Sequence, residues 1–161
     1  MTRRFKPPVF ATTKQGTTEW TINLGDDERA IIVRLLGELR ALLTSDDQSS
    51  PLLQRLFPPA FLDDPDKEAE YQRLMREELV ASRVAQIDTV TDYLRPGHAA
   101  TLDESGINAF LQSINAVRVV LGTLLDVGED DDPSDDEMTP EHQLYAFLSW
   151  LLDWTVRSLS T

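Results

Sequence analysis

The chain has 161 residues, 41% of them hydrophobic, with 28 acids against 15 lysines and arginines and no cysteine. A formal net charge of −13 opposes binding to nucleic acid or to an anionic membrane unless a basic patch is segregated. The missing cysteines exclude disulfides, thiolate metal sites and thiol redox switching, and the length suits one domain with a real core.

The basic opening, Met1 to Pro8, has no apolar segment of the kind a secretory signal carries. No run reaches the ~18 uncharged apolar residues of a membrane span. A cytoplasmic location is the expectation.

Residues 1–24 read as a β-hairpin. Phe5, Val9 and Phe10 precede a polar turn, Thr13-Lys14-Gln15-Gly16. Trp20, Ile22 and Leu24 then alternate with Glu19, Thr21 and Asn23, the period of a half-buried strand. Pro7-Pro8 confines the first strand to an edge. A lone hairpin is marginal in water, so this one must lie on helices or pair with another chain.

Five helices follow. The first, 26–44, opens with Asp26, Asp27 and Glu28 in the turn where the helix dipole favours acids, and its face runs from Ile32 to Leu43. A short helix, 51–57, leads into Pro58-Pro59-Ala60-Phe61-Leu62, an apolar connection expected to pack down. The third, 65–94, is the longest pattern in the chain, capped by Asp64-Pro65 and ended by Arg95-Pro96-Gly97. At about 29 residues it makes a rod of roughly 43 Å, along which the other helices should pack. Its apolar stripe shifts by one position at Leu79–Val80, so its face wraps and can meet more than one neighbour.

The fourth helix, 102–127, starts at a capping box, Thr101 with Glu104, and stops at Gly128. Residues 129–138 form an almost wholly acidic loop that should be mobile. The last helix, 140–159, begins Thr139-Pro140-Glu141. Leu144 to Leu159 supply one apolar face, and Ala146, Trp150 and Trp154 a second flank. A helix apolar nearly all round is central in a core or part of an interface. The fold expected is mainly α: a single domain, 1–161, holding a bundle of four long-to-medium helices and one short helix, with an N-terminal β-hairpin.

Chemistry is sparse. His98 and His142 have no histidine partner at helical spacing, and the aspartates at 130–136 lack the glycine and glutamate of an EF-hand loop. No nucleophile elbow, phosphate loop or dinucleotide fingerprint occurs, so no catalytic residue, metal or cofactor is assigned. Arg118 interrupts Ala116-Val117-Arg118-Val119-Val120-Leu121 and should need a carboxylate there, with Asp88, Asp92 and Asp153 as candidates. It reads first as a structural ion pair and second as a ligand-binding arginine. Trp150 and Trp154 read as core or as partner-binding residues, since tryptophan is enriched at interaction hot spots.

Three stretches carry a resemblance: Phe61-Leu62-Asp63-Asp64-Pro65 leading into Glu70-Tyr71-Gln72-Arg73-Leu74, then Asn115 to Thr123, then the tryptophan-bearing last helix. Together they resemble an actinobacterial family of uncharacterised helical cytoplasmic proteins that includes the mycobacterial anti-oxidant-stress regulator. The resemblance covers nearly the whole chain. It implies a non-enzymatic role in transcription or stress response through a protein partner such as a sigma factor or RNA polymerase component. That regulator's redox sensing is attributed to a cysteine pair, which this chain lacks. The alternatives are direct DNA binding through Arg73, Arg76 and Arg83, or an enzyme built on Arg118 and nearby carboxylates. The edge strand and the apolar last helix also invite a homodimer.

Overall fold

A two-residue turn sets the geometry of the N-terminal sheet. Gln15 and Gly16 both have positive φ, 52° and 80°, the backbone that lets two strands reverse without losing their twist. The computed structural model describes residues 6–45, 51–96, 101–125 and 139–160. Strands β1 (Val9–Lys14) and β2 (Thr17–Ile22) pair antiparallel, Val9 opposite Ile22 and Lys14 opposite Thr17. Thr13 and Lys14, assigned to the turn from sequence, therefore belong to the strand.

The hairpin is not alone. Strand β3 (Thr101–Leu102) pairs with the other edge of β2, giving the order β1-β2-β3. Val9, Trp20, Ile22 and Leu102 are buried on one face, while Thr12, Lys14, Thr17 and Glu19 are exposed on the other. That alternation is what an antiparallel sheet with one solvated face requires. The buried face lies on helices, and Trp20 donates its indole N–H to the Ser158 carbonyl at 3.3 Å.

The helices are α1 (Asp26–Leu43), α2 (Pro51–Leu56), α3 (Pro65–Leu94), α4 (Glu104–Leu124) and α5 (Pro140–Leu159). The chain is mainly α with an N-terminal hairpin. Side chains cap the helix starts as the sequence implies: Asp64 accepts from the Lys67 N–H and Thr139 from the His142 N–H, each at 3.2 Å. Arg29, in the first turn of α1, donates to the Ile22 and Leu24 carbonyls and so ties α1 to the end of β2.

Two expectations about the helices are corrected, and the expected end of α3 at Leu94 is met. The cap of α4 is Asp103, which accepts from the Gly106 N–H at 2.7 Å, because Thr101 is held in β3. Helix α3 ends because Pro96 drives Arg95 out of the helical region, to φ −67° and ψ 147°. Gly97, His98, Gly128 and the acidic 129–138 stretch lie outside the described residues. Finally, the hub is not α3 but α4, which meets α1, α2, α3, α5, β2 and β3.

The hub follows from burial. Ile107, Phe110 and Ile114 of α4 are fully enclosed, and Ala109, Ala116 and Val117 nearly so. By length and mean hydropathy α4 matches a membrane span, yet here its apolar side chains fill the centre of the core. On α3, by contrast, the buried residues are Ile87, Val90, Tyr93 and Leu94, all near its C-terminal end. Phe110→Ala should cost about 3–5 kcal/mol in urea unfolding. Leu74→Ala, equally apolar but exposed, should stay within about 0.5 kcal/mol. Equal costs would contradict this placement of the core.

Candidate functional site

Helix α5 commits one face to the core through Leu148, Leu151, Thr155 and Ser158. Its aromatic flank is not consumed there. Trp150 is 42% exposed and lies beside Phe147, ring centroids 6.0 Å apart. Trp154 is half-buried, with the Arg157 guanidinium 5.3 Å from its ring centroid. Val156 is also exposed. Of the two sequence readings for these tryptophans, core and surface, the structure places Trp150 at the surface and Trp154 at the edge.

Arg118 meets a different partner from the one expected. It is half-buried on α4, donates from Nε to Ser149 Oγ at 2.8 Å, and stacks 5.0 Å from the Tyr145 ring centroid. Ser149 in turn donates to the Tyr145 carbonyl. The three carboxylates proposed from sequence face other arginines: Asp88 binds Arg40, Asp92 lies near Arg95, and Asp153 binds Arg157. Half-exposure explains the correction, because the guanidinium can stay hydrated while its planar face covers an aromatic ring. Gly122 makes room for this arrangement: a Cβ there would stand 3.0 Å from the Tyr145 ring. Arg118 therefore joins α4 to α5 through stacking and one hydrogen bond.

The largest surprise is the first half of α3. Tyr71, Leu74 and Met75 fall on a side turned roughly 140° from Ile87, Val90 and Leu94 at 100° per residue. Leu74 is 62% exposed and Met75 37%. The Pro58–Leu62 connection does not pack into the core: Phe61 and Leu62 are exposed, Leu62 at 83%. Phe61 sits instead edge-on to Tyr71, centroids 5.9 Å apart. Glu68 holds it there. Its carboxylate accepts from the Ala60 and Phe61 N–H groups at 3.0 and 2.8 Å and from Gln72 Nε2 at 2.8 Å.

Behind this arm is an open cleft of about 800 Å³, bounded by Leu43, Phe57, Pro59, Gln72 and Val80 among others. Arg76 lies 4.8 Å from the Phe57 ring centroid and donates to Gln72. The arginines considered for DNA contact are thus split, Arg76 against Phe57 and Arg73 exposed. Among the described residues no three histidines, aspartates or glutamates gather as metal ligands.

Residues 2–159 match a domain of unknown function, DUF2017. The chain belongs to the DUF2017 family. No curated protein and no solved structure matches it. Within this DUF2017 chain, the sequence pointed to the α5 flank but not to the α3 arm. The available signal was the shift of the stripe at Leu79–Val80, which marks where one face gives way to another.

The Glu68 clip has a pH signature. Hydrogen bonds from Gln72, then from the Phe61 and Ala60 N–H groups, hold its carboxyl below the usual glutamate range. A depressed folded-state pKa gives stability that is present above the unfolded value and lost as pH falls through the folded one. The Tm advantage of this protein over Glu68→Gln should be full above the ordinary glutamate pKa and shrink as pH falls below it. A gap that stays constant as pH falls would show that the carboxylate is not the clip.

Proposed function

We propose that this DUF2017 protein is a non-enzymatic regulatory protein that works in the cytoplasm by binding another protein. The observation that carries the reading is Trp150, a large aromatic at the surface of α5 and backed by Phe147. Interfaces concentrate their energy in such residues, because a rigid amphipathic ring supplies much contact area at small entropic cost. Arg118, the residue most suggestive of chemistry, is engaged by Ser149 and Tyr145 in holding α4 to α5.

The resemblance carried by the α3 and α4 motifs directs the partner toward the transcription machinery, a sigma factor or an RNA polymerase component, in regulation or stress response. With no cysteine in the chain, any signal reaches it by a route other than thiol oxidation. A homodimer through the same flank is the competing use of α5.

The test is capture of partners by the tagged protein and by Trp150→Ala, after matching their melting temperatures. A sigma factor or polymerase subunit should be recovered by the first and lost with the second. Measured on the purified partner, the substitution should weaken affinity by about 2 kcal/mol, roughly thirtyfold. Recovery that ignores the substitution, or recovery of this chain alone, would contradict the reading.

A further inference from the structure

Strand β1 forms a free edge of the N-terminal sheet. The Asn23 N–H donates to the Pro8 carbonyl at 2.7 Å, and Val9 stands opposite Ile22. In an antiparallel ladder, hydrogen-bonded and non-hydrogen-bonded pairs alternate. Phe10, Thr12 and Lys14 therefore turn their backbone groups toward β2, and Val9, Ala11 and Thr13 turn theirs outward. Val9 is buried. Ala11 and Thr13 are left with outward N–H and C=O groups that bond to nothing else among the described residues. Ala11 is half-buried and Thr12 and Thr13 are exposed, so α5, which packs on β1, leaves this part of the edge open. Pro7 and Pro8 close the start of the edge, but no proline or bulge protects Ala11 to Thr13. Such a row of backbone groups takes one kind of partner, another extended chain.

The side chains select a second copy. Val9–Lys14 holds no acid, in a chain that carries 28. Two copies meet there without the carboxylate repulsion that their net charge imposes elsewhere. A twofold axis at Thr12 sets Ala11 opposite Thr13 of the second copy, each pair exchanging both of its N–H···O bonds. The same register sets Thr12 opposite Thr12 and Lys14 opposite Phe10. Phe10 is half-buried at the edge of the otherwise polar outer face, and the Lys14 stem and ammonium of the other copy cover it. No like charges stand opposite each other in this register.

We propose that β1 pairs antiparallel with β1 of a second copy about a twofold axis at Thr12, joining two sheets into one. This goes beyond the α5 reading: partner capture scored at Trp150 and pairing scored at β1 can each fail alone.

Sedimentation of the full chain should show a dimer of the 18.2 kDa chain, tightened by salt, since added ions screen the like net charges. The Ala11 and Thr13 amides should exchange more slowly as protein concentration rises, and the Thr12 amide should not. Thr12→Lys sets a lysine opposite Glu19 within each copy and two lysines opposite each other across the axis. It should keep the helical circular-dichroism signal and weaken the dimer by about tenfold or more. Thr12→Cys introduces the chain's one thiol and reports the register. A non-hydrogen-bonded pair brings Cα atoms to about 4.5 Å, within disulfide reach, so oxidised glutathione should link the two copies. Thr17→Cys, exposed on β2, should not link them. A chain that stays monomeric at millimolar concentration, a dimer indifferent to Thr12→Lys, or equal linking by both cysteine variants would overturn the proposal.

Discussion

Enclosure of the Ile107–Phe110–Ile114 face of α4 is the constraint on which the other elements depend. A fully buried phenylalanine demands neighbours on every side. The chain supplies them by wrapping α1, α2, α3 and α5 and the inner face of the sheet around this one helix. The sheet is thereby more than an appendage. Trp20 is buried at its centre and hydrogen-bonds the Ser158 carbonyl, so the N-terminal sheet and the last helix close on each other. The third strand, immediately before α4, links the sheet to the hub.

A hub of limited length also explains the α3 arm. A rod of 30 residues is longer than the core it serves. Its C-terminal end provides Ile87, Val90 and Leu94 to that core; its N-terminal half runs past it. There the side facing inward carries Gln72 and Arg76 before the aliphatic contacts begin at Leu79 and Val80, while Tyr71, Leu74 and Met75 turn outward. The local interactions stabilise this unusual arrangement. Asp64 caps the helix start, and Glu68, Gln72 and Arg76 link along successive turns. Glu68 also fixes the preceding connection by its backbone.

Much of this was legible in the sequence. Helical periodicity located α3 and α5 at Pro65–Leu94 and Pro140–Leu159, because proline at the first helical position and a capping side chain before it are local signals. The sheet was legible as a hairpin but not as three strands. Thr101–Leu102 is too short to show a period, and its partner lies some 80 residues back in the chain. Thr101 and Glu104 made a plausible capping box until tertiary pairing took Thr101 away and left Asp103 to do the capping. Arg118 was singled out as a residue needing a carboxylate, and it meets Ser149 and the Tyr145 ring instead. Sequence cannot reveal that the site is half-exposed and faces a tyrosine ring. The exposed strip on α3 was hidden for the opposite reason: an apolar stripe reads as core unless one knows where the core stops.

The central physical claim is that α3 is one helix with two environments, and native-state hydrogen exchange tests it most directly. Amides at Ile87–Leu94 should exchange only with global unfolding, because α4 and α1 cover that segment. Amides at Tyr71–Leu79 should exchange through local opening, at a clearly smaller free energy. Uniform protection along the whole helix would contradict the account and would mean that the arm is part of the cooperative core.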